Sequence, residues 1–178
     1  NLEWDGDAVA AMPMQGRFTL ATLSAELSAE FSLFPHDAVL AAYLKDRASK
    51  PYDPVAPDPD ANYEGTIRID VSALEPLVVL PNKVAHNAAP ARELGEAKID
   101  QAFIGSCANG RIEDFAVAAE ILIGRQVAPG VRMIVTPGSQ SVLQEAMAKG
   151  YVETLMNAGA VVTNSTCGAC YGGHMGVL

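Results

Sequence analysis

Three cysteines carry the most chemistry in this sequence. Cys107 lies in Gly-Ser-Cys-Ala-Asn-Gly, and Cys167 and Cys170 follow as a Cys-x-x-Cys pair. The 178-residue chain has no fourth cysteine. Structural zinc sites and electron-transfer iron–sulfur clusters take four protein ligands. Three thiolates on a four-iron cube leave one iron open, and an open iron is a Lewis acid suited to a substrate hydroxyl.

Other interpretations of the same cysteines stay open at this point. A Cys-x-x-Cys pair is also typical of a redox pair, and a single cysteine is often a small buried apolar residue. A zinc site would recruit His174 as its fourth ligand. Glycines flank both cysteine segments, at Gly105, Gly110 and Gly172 among others. Because glycine lets the backbone approach a bulky inorganic group, they favour a cluster.

The composition limits the classes of function. A length of 178 residues suits one domain or two small ones, and the formal net charge of −9 argues against a nucleic-acid partner. An odd number of cysteines argues against a secreted disulfide framework and favours a reducing compartment, the cytoplasm. No run of 18 or more apolar residues is present, so we predict no membrane span.

The residues from Ile99 onward alternate between predicted strands and helices. The predicted strands are 101–105, 131–136 and 160–163, and the predicted helices are 111–124, 140–149 and 151–157, with Ser139 capping the second helix. This alternation predicts an α/β fold with a parallel sheet. The cysteines follow the first and third strands directly. Since loops at the carboxyl ends of parallel strands share one edge, we expect the three thiols to meet there.

The first half of the chain is predicted to be more helical. The expected elements are a helix over 18–34, a second helix over 38–46 capped by His36 or Asp37, a proline-rich loop over 48–65, a strand over 66–71 and an apolar segment over 74–80. We expect two subdomains, 1–97 and 98–178. We also expect the sequence to be a piece of a longer protein.

Three segments together resemble a known family. Residues 103–114 (FIGSCANGRIED), 127–140 (VAPGVRMIVTPGSQ) and 166–176 (TCGACYGGHMG) are similar to the two cluster motifs and the central strand–turn signature of the aconitase superfamily. The resemblance is closest to the branch acting on isopropylmalate and homocitrate, and it implies three-layer α/β subdomains with parallel sheets.

The resemblance also implies a cofactor and a reaction. It assigns a [4Fe–4S] cluster to Cys107, Cys167 and Cys170, and reversible dehydration of a malate-type hydroxy-acid, with 3-isopropylmalate favoured over homocitrate, citrate and dimethylmalate. Glu26 matches the family's glutamate facing the open iron, and Asn109 matches a substrate-side asparagine. Without the resemblance, Glu26 would be interpreted as a solvated helix acid and Asn109 as a turn residue.

The resemblance further implies what lies outside these residues. The family's catalytic serine belongs to a separate swivelling domain or small subunit, so we expect such a partner and little turnover by this piece alone. Two non-enzyme alternatives remain: an iron-sensing module that binds RNA, against which the charge of −9 argues, and a zinc-binding or iron–sulfur-binding module.

Overall fold

The computed structural model describes residues 1–82 and 86–172. They form two compact units, one built from Asn1–Ala56 with the chain from Asp100 onward, and one from Pro57–Ile99. The subdomain division at residue 97 stays a prediction. Among the helices within the described ranges, none has the length and apolar character of a membrane span.

The first unit opens with short elements. They are β1 (Leu2–Glu3), α1 (Asp7–Ala11), α2 (Met14–Leu23), a 3-10 helix (Ser24–Leu27), β2 (Ser32–Leu33) and α3 (Ala38–Leu44). The predicted helix over 18–34 is wrong in both bounds. It ends early because Ser28 adopts a left-handed backbone conformation with φ 62°, and because β2 pairs in parallel with β1.

An ion pair between the buried Arg17 and the partly exposed Asp37 holds α2 to the start of α3. Arg17 is 2% exposed, and its two terminal nitrogens donate to the two carboxylate oxygens of Asp37 at 2.9 and 2.5 Å. Asp37 also accepts a hydrogen bond from the Leu40 backbone N–H at 3.0 Å, so it is the N-cap of α3. Of the two predicted caps, His36 and Asp37, the second is therefore confirmed. Chiefly because of the Arg17 hydrogen bond, the pKa of Asp37 falls from 3.8 to about 2.

The second unit contains little regular structure. Its elements are β3 (Leu77–Val79), β4 (Ala88–Pro90) and a 3-10 helix (Ala91–Glu93), with β3 and β4 antiparallel. The predicted strand over 66–71 is wrong: these residues pair with no strand among the described residues, and Ile67 and Ile69 are exposed. Residues 48–65 contain no helix or strand, as predicted.

From Asp100 the chain is α/β. The elements are β5 (Gln101–Gly105), α4 (Ser106–Asn109), α5 (Ile112–Leu122), β6 (Arg132–Thr136), α6 (Gln140–Ala148), α7 (Tyr151–Asn157) and β7 (Val161–Val162). The three strands form a parallel sheet in the order β5-β6-β7. The predicted α/β class and parallel sheet are confirmed. Ser139 caps α6 by accepting the Val142 N–H at 3.2 Å, also as predicted.

The core of this part lies on one face of the sheet. Met133 and Val135 alternate along β6 and pack on the helices together with Phe115, Ala118, Ala146, Leu155 and Ala160. Phe115 and Leu155 are fully buried. This packing fixes β6 in the centre, so the loops at its carboxyl end stand on a rigid support.

Candidate metal centre

Cys107 lies in a one-turn helix that begins where β5 ends. The preceding residues have unusual backbone conformations, with φ 145° at Gly105 and φ 69° at Ser106. Ser106 is a buried non-glycine residue in the left-handed region, which is rare and costs free energy. Along the turn, Ser106 and Ala108 are buried, whereas Cys107 and Asn109 are exposed. The strained entry therefore presents the thiol and the amide to solvent together.

Three different donors hold this turn, which we call the Cys107 turn (residues 105–110). The Gly110 N–H donates to the Ser106 carbonyl at 3.0 Å. The Arg111 guanidinium donates to the Cys107 carbonyl at 2.6 Å. The Thr19 hydroxyl donates to the Ala108 carbonyl at 2.9 Å. Three consecutive carbonyls thus have three partners. Several hydrogen bonds from different elements can together hold a strained backbone in place.

The Cys107 turn rests on the end of β6. A Cβ atom on Gly110 would lie 2.5 Å from the Thr136 carbonyl oxygen, and one on Gly105 would also collide with the Thr136 backbone. Gly138 donates its N–H to the Gly110 carbonyl at 2.7 Å. Glycine is therefore required at 105 and 110 because the two backbones touch.

The Cys167–Cys170 segment reaches the same place. Gly168, at φ 58°, lies so close to Thr136 that an added Cβ would be 2.7 Å from its hydroxyl oxygen. The Cys170 N–H donates to the Cys167 carbonyl at 3.1 Å, which closes a tight turn. Both cysteine segments therefore meet at Thr136, as expected for loops at one edge of a parallel sheet.

All three thiols are free and exposed. Their number, their exposure and the close-packed glycines beside them fit the donor set of an iron–sulfur cluster with one open position. Within residues 1–82 and 86–172, however, no three His, Cys, Asp or Glu side chains stand close enough to hold a metal ion. The structure brings the cysteine segments to one edge but does not assemble the thiols. His174, the zinc alternative's fourth ligand, lies outside the described residues.

The other predicted residues lie on different elements. Glu26 is exposed in the 3-10 helix that follows α2, and Asn109 is the exposed last residue of α4. Arg17 is not available to an anionic substrate, because its guanidinium is committed to Asp37 and to the Val9 and Met12 carbonyls. Arg111 lies directly beside Cys107.

Two residues of this site escaped the sequence analysis. Thr136 stands where both cysteine segments meet, and its hydroxyl is 2.9 Å from that of Thr163. Its position at the end of a predicted strand was a usable signal. Thr19 contacts Ala108, which is 89 residues away in the sequence, and no local pattern reports such a pair.

A parallel α/β sheet with free cysteines on its carboxyl-edge loops places this chain among the α/β proteins that bind ligands at that edge. Comparison with known proteins gives the family. A family model described as the aconitase family (aconitate hydratase) matches residues 1–89 and 80–178, and the chain belongs to this family.

Curated relatives match the chain over its full length. The 3-isopropylmalate dehydratase large subunit of Mycolicibacterium smegmatis is 53% identical over 178 residues, which is 100% of this chain and 42% of that protein. The protein of the same name from Moorella thermoacetica is 46% identical over 177 residues, 99% of this chain and 42% of that protein. The large subunit 2 from Rubrobacter xylanophilus is 45% identical, with the same coverage. The chain thus spans about two fifths of the length of these relatives.

Proposed function

We propose that this chain is part of a hydro-lyase that reversibly dehydrates a malate-type hydroxy-acid, with 3-isopropylmalate as substrate. The observation that carries the proposal is the meeting of two cysteine-bearing turns at Thr136 in a chain 53% identical to a large subunit of that name. Free thiols suit a reducing compartment, and we propose the cytoplasm.

In this proposal the three thiols hold a [4Fe–4S] cluster. Cys107 supplies one ligand from the turn after β5, and Cys167 and Cys170 supply two from the turn after β7. When bound, such a cluster supplies an incompletely ligated iron, a Lewis acid for a hydroxyl and a neighbouring carboxylate. Glycine at 105, 110 and 168 keeps side chains out of the space next to Thr136. Exposed thiols can reorient to join the ligand set without disturbing the core.

Glu26 and Asn109 are proposed to act on the substrate itself. The exposed Glu26 carboxylate is free to exchange a proton with the departing hydroxyl. The Asn109 amide, which faces solvent on the same turn as Cys107, can hydrogen-bond a substrate carboxylate or hydroxyl and so orient it.

The whole enzyme is proposed to contain more than these residues. The relatives carry the name large subunit, so we infer a smaller partner that supplies the swivel domain and the base. Residues 1–178 alone are expected to show little turnover.

Metal analysis tests the cofactor. The full-length protein, purified without oxygen, should contain about four irons and four sulfides per chain, and each single change Cys107→Ser, Cys167→Ser or Cys170→Ser should abolish that content. Ser106→Ala, which removes a neighbouring hydroxyl but no thiol, is the control and should keep it. One zinc per chain without sulfide would contradict the proposal.

The role of Glu26 is tested separately. Glu26→Gln should lower kcat about 100-fold or more at unchanged iron content, because the amide cannot exchange the proton. Glu30→Gln, an equally exposed acid four residues later, should leave kcat unchanged. Equal rates for the two variants would remove Glu26 from the mechanism.

A further inference from the structure

Arg111 joins the Cys107 turn to the helix that leads to Glu26. Its Nη2 atom donates to the Cys107 carbonyl at 2.6 Å, and its guanidinium carbon lies 4.7 Å from the centre of the Phe18 ring in α2. Its backbone N–H donates to the Asp114 carboxylate at 2.8 Å, which anchors the residue at the start of α5. One side chain therefore contacts both the Cys107 turn and α2.

Among the described residues, no carboxylate forms an ion pair with the Arg111 guanidinium. The ion pairs found within the described residues involve Arg17, Arg92 and Lys149 as cations, but not Arg111. Its Nε atom is buried without a hydrogen-bond partner. The guanidinium therefore brings a positive charge to the Cys107 carbonyl in a chain whose net charge is −9.

The turn needs such an anchor because its backbone is strained. Ser106 keeps φ 69° while buried, and of the three donors that tie the turn only Arg111 is charged. Hydrogen bonds from a charged donor are stronger than neutral ones, and arginine can stack and donate in the same geometry. The Arg111 contact is thus the strongest of the three ties.

We propose that Arg111 is a positioning residue for Cys107. It fixes the Cys107 backbone through the carbonyl and holds the turn against α2 through Phe18. This inference rests on the proposed function for the identity of the metal group, but the positioning itself concerns only residues of this chain.

The test uses the full-length protein with Arg111→Gln and Arg111→Lys. In the cluster-free form, hydrogen exchange of the peptide covering the Cys107 turn should accelerate about tenfold in both variants, because lysine keeps the charge but cannot stack and donate together. In the loaded form, iron loss to a chelator should accelerate similarly, and the electron paramagnetic resonance signal of the cluster after one-electron reduction with dithionite should change shape. Exchange at residues 140–157 should stay unchanged.

Arg47 provides a matched control. It donates to the carbonyl four residues earlier, at Tyr43, and its guanidinium lies 4.3 Å from the Tyr43 ring centre, so it repeats both contacts of Arg111 away from the cysteines. Arg47→Gln should change neither iron loss nor exchange of the Cys107 turn. If Arg111→Gln unfolds the protein, Phe18→Leu removes the stack, together with the Phe18–Tyr43 ring contact, but keeps the Arg111 hydrogen bond, and it should accelerate exchange in the same peptide.

The outcomes separate the two proposals. Unchanged exchange and iron loss in the Arg111 variants of a cluster-containing protein would overturn the positioning role and leave the function standing. Accelerated exchange in a protein that binds no iron and sulfide would uphold the positioning role and refute the function.

Discussion

At residue scale, the site depends on space that only glycine leaves. Gly110 has φ −107°, a conformation open to any residue, so its requirement is steric. An added Cβ would meet three backbone atoms at 2.5–2.6 Å, from Thr136, Gly138 and Ser106. Backbone atoms in a packed corner cannot move aside as a flexible side chain can.

Gly110→Ala should therefore destabilise residues 1–178 by about 1–3 kcal/mol, the usual range for overpacking a tight site. Urea unfolding followed by circular dichroism measures this. Gly65→Ala is the control, because nothing lies within 4 Å of its added Cβ. An equal effect of the two changes would show that the turn has more room than the structure gives it.

Asp37 gives stability a dependence on pH. Its pKa is about 2 in the folded chain against 3.8 ordinarily, so its contribution is fully present above pH 3.8 and is lost as the pH falls through 2. Asp37→Asn should lower the free energy of unfolding by about 2 kcal/mol at pH 6, since it leaves the Arg17 charge unpaired.

The difference between wild type and Asp37→Asn should shrink steadily between pH 4 and pH 2. Urea unfolding at several pH values measures it. Asp46→Asn, an exposed acid beyond the other end of α3, should change little at any pH. A constant gap across the acid range would contradict the assigned pairing.

At element scale, the start of α6 lies next to the Cys107 turn, so the cap of this helix matters for the site. Ser139 caps α6 one residue after Gly138, which donates to the Cys107 turn. Ser139→Ala should cost about 1 kcal/mol, and Ser139→Asn, which preserves the cap, should cost little. Thermal unfolding measures both. Equal losses for the two would mean that the hydroxyl pair with Ser141, 2.9 Å away, matters more than the cap.

The elements that could be predicted were those with strong local signals. The bounds 101–105 and 151–157 agree with the structure, because a short apolar run and a glycine at position 150 mark them. The strand over 66–71 could not be judged from its alternation, since a strand needs a partner that the local sequence does not contain. The helix over 18–34 failed for a similar reason, because β2 forms by pairing with β1.

In the candidate site, too, the features that follow from topology could be predicted, and those that depend on distant contacts could not. Topology placed both cysteine segments at one sheet edge, and Thr136 confirms that placement. The relative positions of the thiols could not follow from topology, because exposed side chains have no packing partners that fix their rotamers. The hydrogen bond from Thr19 to Ala108 joins residues that are 89 positions apart, so no local sequence pattern could predict it.

At the scale of the whole molecule, much apolar surface of the second unit lacks a partner among the described residues. Ile67, Ile69 and Leu74 are 86, 62 and 64% exposed. Ile67 and Ile69 are two residues apart in the sequence, and exposed apolar side chains that lie close together mark surface that another part of a protein covers. The relatives are more than twice as long as this chain, since it spans 42% of them, and we propose that the further chain of the full-length protein covers this surface.

Ile69→Lys should affect stability differently in residues 1–178 and in the full-length protein. In residues 1–178 alone the change should leave the free energy of unfolding unchanged and reduce binding of an apolar dye, because it replaces exposed apolar surface. In the full-length protein it should destabilise by about 2 kcal/mol or more, because the lysine charge would be buried. Arg68→Gln, a change at the exposed polar position between Ile67 and Ile69, should be neutral in both. If Ile69→Lys is equally harmless in the full-length protein, the surface stays open there, and a separate partner must be sought for it.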